Sequence, residues 1–288
     1  WGYEVHFIEA KDRVGGRLWT LDHMPGSPEG GGNVMGANYG RVFHMAQALN
    51  VPLRTPPRTL PADYFIGNQR IARNDWATSS ANPLSEAWRA IPPDRLMGKL
   101  NTTNPLLGTR AWHDPALMAG DQSAAAGLRA LGFPDAAIEL IGSNNSYGNN
   151  LSETSLMTLY RIMGEFARLS GPALSIKEAA EGNMRLPEAM AMKLTQPVRK
   201  GEPVTAIHQS AAMATVALES GRTFEADAVV LALPLPALHQ IEVTLPSSQQ
   251  ALLENIDYHK VVQLHCIVEE PFWKSSGWSG SWWTDGPL

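Results

Sequence analysis

Cysteine is almost absent. Cys266 is the single thiol in 288 residues, which excludes an internal disulfide and any multi-thiolate zinc or iron–sulfur centre. Runs of basic residues are also missing, and the formal net charge is −5. Nucleic-acid binding relies on clustered Lys and Arg, so that class of partner is excluded. The longest apolar stretch, residues 228–238, is interrupted by Pro234 and Pro236 and is too short to span a bilayer. No serine is flanked by glycines two places away on both sides, and no G-x-x-x-x-G-K-[ST] loop occurs. The nucleophile elbow of α/β-hydrolases and the mononucleotide phosphate loop are therefore both missing. His259, His265 and Cys266 lie close in sequence, but strand alternation would turn Cys266 away from the two histidines, which argues against a metal site. Repeats and low-complexity segments are lacking too, and the compartment is left open.

What the chain does have is enough apolar residues, 44%, for the core of one large domain or two ordinary ones. Near its start stands Y-E-V-H-F-I-E-A-K-D-R-V-G-G-R-L-W-T, residues 3–20. Val5, Phe7 and Ile8 predict a buried strand ending at the acidic Glu9, with a basic, glycine-containing loop directly after it. In an open α/β sheet a dinucleotide sits at the carboxyl ends of strands, where an acidic side chain accepts hydrogen bonds from the ribose diol. Glu9 fits that role. The matching G-x-G-x-x-G turn belongs about 20 residues earlier, which would lie before Trp1, so the chain is expected to be an internal fragment with Trp1-Gly2 the tail of the intervening helix. In the loop, Gly15 and Gly16 permit close backbone approach, and the guanidinium of Arg13 or Arg17 can fork onto a diphosphate.

Further along, residues 25–32 read as a glycine-rich loop. Helical spacing of Val42, Met45, Ala46 and Leu49 predicts a helix over 39–49, stopped by Asn50. Residues 52–115 are rich in proline, with a hairpin predicted at D-Y-F-I-G-N-Q-R-I-A around Gly67-Asn68. Helices are expected over 123–131, 135–141, 152–168 (opened by Ser152-Glu153 and closed before Gly171-Pro172) and 185–194. Residues 203–233 then hold three or four β runs with turns at Gln209-Ser210 and Ser220-Gly221. The last of these, 228–233, is continuously apolar, as a central strand covered on both faces would be.

The segment E-A-K-D-R-V-G-G-R resembles the E-x-x-x-R-x-G-G-R signature of the flavin-containing amine oxidases, the family of monoamine, polyamine and L-amino-acid oxidases. Three later stretches agree. G-G-N-V-M-G, residues 31–36, resembles the family's G-G-x-x-x-G loop beside the flavin, followed by the helix R-V-F-H-M-A-Q-A-L-N-V. R-L-P-E-A-M-A-M-K-L leading into E-P-V-T-A-I resembles the segment before the strand that covers the adenine. V-V-Q-L-H-C-I-V-E-E-P-F-W, residues 261–273, resembles the strand ending in P-F-W ahead of the substrate cavity. The resemblance implies an α/β fold: a doubly wound, Rossmann-like FAD-binding domain (1–51 and 183–245) with an inserted α+β substrate domain (52–182 and 246–288). It implies FAD, a small-molecule amine as substrate and dioxygen as oxidant. Carried over by position, the cofactor-binding residues are Glu9, Ala10, Lys11, Gly15, Gly16, Arg17, Gly31, Gly32, Asn33 and Val204.

Two departures from the family pattern stand out. The lysine that commonly holds a water near flavin N5 is replaced by Gln263; Lys260, three residues earlier, would face the other side of a strand. The family's terminal flavin-contacting segment has no counterpart, since the chain stops at W-T-D-G-P-L, and Trp273, Trp278, Trp282 and Trp283 read equally well as packing aromatics. Two other classes stay open: a different FAD oxidoreductase, such as a carotenoid desaturase or a protoporphyrinogen-oxidase-like enzyme, and a noncatalytic truncated chain serving as a scaffold. If Gln263 takes the lysine's place, a neutral amide there supplies a hydrogen-bond donor but no positive charge to help peroxide form. In the holoenzyme Gln263→Lys should then speed reoxidation by dioxygen and change anaerobic reduction by amine less, as read by stopped-flow measurement of both half-reactions. Unchanged reoxidation with intact FAD content would show that Gln263 does not face the flavin.

Overall fold

The computed structural model describes residues 2–57, 60–106, 108, 110–144, 146–168, 176–256 and 258–286. In chain order the elements are α1 (Gly40–Ala48), β1 (Leu53–Arg54), β2 (Asp63–Ile66), β3 (Gln69–Ile71), α2 (Pro115–Met118), α3 (Ala124–Ala130), α4 (Asp135–Ser143), α5 (Leu156–Arg168), β4 (Glu178–Ala179), α6 (Arg185–Met192), β5 (Val204–Gln209), β6 (Ala214–Leu218), β7 (Thr223–Ala226), α7 (Leu235–Leu238), β8 (Glu242–Val243), α8 (Ser247–Asn255) and β9 (Trp282–Thr284). They form two compact units, one of Trp1–Pro56 with Ile176–Tyr258, the other of Pro57–Ser175 with His259–Leu288. Residues 52–56 and 176–182 fall in the first unit because β1 and β4 pair with each other, Leu53 opposite Ala179 and Arg54 opposite Glu178. No helix among the described residues is long and apolar enough to cross a membrane.

The first unit is built around a four-stranded sheet of order β7-β6-β5-β8. The expected β-meander is there: β5, β6 and β7 run antiparallel, and β8 joins β5 in parallel. Ile207, Val216 and Leu218 form a buried cluster on it, with Ile8, Val204, Val229, Leu231 and Val243 packed against them. A second cluster joins Met35, Ala46, Val51, Ala179 and Leu186. Its helix, α1, stops where expected: Asn50 takes φ 55°, a left-handed conformation that asparagine tolerates, and Val51 N–H closes back on the Ala46 carbonyl at 2.8 Å.

Two predicted strands of this unit lack ladders. Residues 3–8 make one parallel bridge, Ile8 with Arg199, and Val5 is 48% exposed. Residues 228–233 make none, and Val230 is 89% exposed. An apolar pattern can mark a strand, but a strand forms only where a neighbour supplies backbone partners, and the described residues supply Arg199 alone.

In the second unit the predicted hairpin forms as β2 and β3. Gly67 and Asn68 take φ 55° and 62°, as a two-residue type I′ turn requires. Strand β9 adds in parallel to β2, with Tyr64 opposite Trp283. The core gathers Tyr64, Trp76, Leu96, Leu100, Leu128, Ile141 and Leu159, with Trp283 packed on it. Trp278 and Trp282 meet edge to face, and Arg70 lies 4.8 Å over the Trp278 ring. Helix α5 begins at Leu156 and not at Ser152, because the Asn150 side chain accepts from Ser152 N–H and Glu153 N–H at 2.9 and 3.0 Å and holds them in a turn. Its expected stop at Gly171-Pro172 lies outside the described residues, as does Trp1. Residues 261–273 form no strand; Val262 and Leu264 are 92% and 82% exposed.

One charged network fixes the start of this unit. The Arg73 guanidinium donates to both Asp94 oxygens at 2.9 Å, and the buried Tyr64 hydroxyl donates to Asp94 at 2.9 Å while accepting from Arg73 at 2.6 Å. Burial pushes the Asp94 carboxyl up, but Arg73 and Tyr64 together outweigh it and hold the group below its ordinary value. Burial and the neighbouring Asp94 carboxylate raise Tyr64. Replacing Asp94 by Asn should cost about 3 kcal/mol in urea unfolding at pH 7, since it leaves a buried hydroxyl and a guanidinium short of their partner. Because the folded carboxyl titrates below its unfolded value of about 4, its contribution is complete above about pH 5 and is lost as pH falls through the folded value. Wild type and variant should thus converge in stability as the solution is acidified.

Candidate functional site

Every sequence-predicted cofactor residue lies in the first unit, and Gln263 lies in the second, on an exposed segment without regular secondary structure. Around the Ile8–Arg199 bridge, Glu9 N–H donates to the Arg199 carbonyl at 2.8 Å, Glu202 N–H to the Glu9 carbonyl at 3.1 Å and Gly201 N–H to the Lys11 carbonyl at 2.8 Å. The end of the first segment is therefore aligned with the approach to β5, and Val204 opens that strand half-buried. The Glu9 carboxylate accepts from Lys11 N–H at 2.9 Å, which folds the chain sharply over Ala10.

The two arginines of the glycine loop differ in what they do. Arg13 turns inward: its guanidinium donates to the carbonyls of Val14, Gly16 and Leu18 at 3.2, 3.1 and 3.1 Å and lies 4.9 Å over the Trp19 ring. It staples the loop. Arg17 is exposed and donates once, to the Tyr258 hydroxyl at 3.1 Å. Gly15 and Gly16 both have positive φ, 99° and 55°. A Cβ on Gly15 would press within 2.7 Å of the Met184 sulfur, whereas one on Gly16 would meet nothing within 4 Å. The loop thus packs on one side and lies open on the other.

The second glycine loop pairs with the first. Gly30 N–H donates to the Trp19 carbonyl at 2.7 Å and Gly32 N–H to the Arg17 carbonyl at 3.1 Å, and Thr20 bridges Glu29. Gly31 has to be glycine, because a Cβ there would collide with the Arg17 carbonyl oxygen.

What locks both loops is Asn183, a residue that motif reading overlooks. It is 2% exposed. Its amide donates to the Gly32 and Asn33 carbonyls, each at 2.8 Å, and accepts from Ala179 N–H at 2.9 Å; its own N–H donates to Glu29 at 2.6 Å. Thr20 donates to the same Glu29 carboxylate at 3.1 Å and accepts from Met184 N–H at 3.1 Å. The signal in the sequence is slight, an asparagine after Gly182 just ahead of α6.

The sequence profile described as flavin containing amine oxidoreductase matches residues 2–287. The chain belongs to this family. Among solved structures, a putrescine oxidase with putrescine bound is similar with a TM-score of 0.78 at 23% identity, covering 100% of this chain and 66% of its own. Cyclohexylamine oxidase from Brevibacterium oxydans is similar with a TM-score of 0.65 at 18% identity, covering 88% of this chain and 58% of its own. The probable flavin-containing monoamine oxidase A of Dictyostelium discoideum is 26% identical over 111 residues, which are 37% of this chain and 24% of that protein. The fold is accordingly the α/β FAD-binding fold of the flavin amine oxidoreductases, and FAD is the cofactor that membership implies. The donor set suits it: an acidic group at a segment end, an exposed guanidinium, and a positive-φ glycine open to a close approach.

The contrast between the glycines is measurable. Gly31→Ala should cost about 3 kcal/mol, because its methyl meets backbone that cannot move aside. Gly16→Ala should cost only about 1 kcal/mol, the penalty of a side chain at positive φ in open space. Equal losses in chemical denaturation would contradict the packing described for Gly31.

Proposed function

We propose that this chain carries the cofactor-binding part of an FAD-dependent amine oxidase acting on a small-molecule amine. The observation that carries the reading is the meeting, in one compact unit, of Glu9, the open side of the Gly15–Arg17 loop and the Gly31–Asn33 loop paired to it. Bound FAD would supply a two-electron acceptor for the hydride on the amine α-carbon, with dioxygen as final oxidant, hydrogen peroxide as product, and an imine released to hydrolyse to ammonia and an aldehyde or keto acid.

In this reading the chain's own groups bind and orient. Glu9 accepts from the ribose hydroxyls, and its bond from Lys11 N–H leaves the second carboxylate oxygen for that purpose. Arg17 neutralises the pyrophosphate, with Gly15 and Gly16 giving the backbone room to approach. The Val204 backbone meets the adenine, and the backbone of Gly31, Gly32 and Asn33 borders the flavin. Ala10 and Lys11 hold the turn between Glu9 and the loop. The first unit serves as the cofactor domain and the second as the amine-side domain, where we keep Gln263 as the candidate group beside the reacting atoms.

Removing the Glu9 acceptor tests this assignment. Hydrogen bonds to charged groups contribute roughly 1.5–3 kcal/mol, so Glu9→Ala should weaken FAD about tenfold to a hundredfold. Titration of the apoprotein with FAD, followed by flavin fluorescence, reads the change. Unaltered affinity would reduce Glu9 to a carboxylate that merely shapes a turn.

A further inference from the structure

Asn183 does more than fill a buried position. Both of its amide hydrogens are committed to consecutive carbonyls, those of Gly32 and Asn33, at 2.8 Å each. A trans peptide holds its N–H opposite its C=O, so pinning the Asn33 carbonyl toward Asn183 turns the Val34 N–H away from it. The next residue is fixed as well: Met35 is 7% exposed and exchanges hydrogen bonds with Lys177, N–H to carbonyl at 2.7 Å and carbonyl from N–H at 3.0 Å. Val34, caught between these anchors, is 46% exposed. Its N–H thereby points away from Asn183.

We infer that Asn183 is a positioning residue for the cofactor: by holding the Gly32 and Asn33 carbonyls inward it presents the Val34 N–H as a fixed donor to an acceptor atom of the flavin ring. The inference rests on the FAD reading above. Its physical basis is preorganisation, since a donor already aimed loses no conformational freedom when the ligand arrives. Asp is the discriminating substitution. It is nearly isosteric with Asn and keeps the acceptor for Ala179 N–H, but it replaces two donors with a charge that repels both carbonyls.

The test compares amide exchange at Val34 with and without FAD, in wild type and Asn183→Asp, together with FAD affinity and the absorption spectrum at saturating FAD. In wild type, FAD should slow Val34 exchange. In the variant that protection should vanish, affinity should fall about tenfold, and the absorption bands of the bound flavin should shift. A purely structural Asn183 would lower the stability of apo and holo forms alike and leave the saturated spectrum and the Val34 protection unchanged, which overturns the inference. Should the variant not fold, the wild-type exchange decides: protection of Val34 by FAD supports the proposal, and its absence overturns it. The measurements are made on the full-length protein, and full-length wild type that binds no FAD would instead overturn the functional reading itself, so the two failures are distinct.

Discussion

Unit one depends on a buried amide. Asn183, Glu29 and Thr20 tie the two neighbouring glycine loops to the entry of α6, which is distant in sequence. Irregular loops carry backbone groups that no ladder satisfies, and each one buried without a partner costs about as much as a lost hydrogen bond. Asn183 answers for two carbonyls and one N–H at once. With the loops' inner sides so occupied, Gly16 and Val34 are left exposed on the other side. The shape of the site follows from where the polar groups of the interior find partners.

The same logic sorts the arginines. Arg13 donates to three carbonyls of its own loop, and Arg73 in the second unit is taken up by Asp94 and Tyr64. Both guanidiniums are structural, because a planar fork of five donors can close a loop or complete a bidentate pair at little entropic cost. Arg17 is exposed and, among the described residues, donates to one neutral partner, Tyr258. Both arginines flank the same pair of glycines, yet Arg13 is bound up with its own loop and Arg17 is exposed.

Much of the architecture was legible beforehand. Helix α1 with its stop at Asn50, the hairpin at Gly67-Asn68, and the meander of β5, β6 and β7 all follow from local chemistry: periodicity, turn residues at positive φ, and short β-rich runs. Residues 3–8, 228–233 and 261–269 carry equally clear apolar patterns and form no ladders. The difference is physical. A helix or a tight turn satisfies its backbone within the segment, whereas a strand needs a partner whose position no local pattern encodes.

The sequence by itself determined the family and the cofactor chemistry, because Glu9, the Gly15-Gly16-Arg17 loop and the Gly31-Gly32 loop are short motifs whose residue types are dictated by close backbone approach and charge. Tertiary structure alone decided that Arg13 is a staple, that Gly31 is required by the Arg17 carbonyl, and that Asn183 anchors the second glycine loop. Each of those outcomes is a contact between residues whose separation in sequence bears no relation to their distance in space. A buried side chain earns its role from the unsatisfied groups around it, and these exist only once the chain has folded.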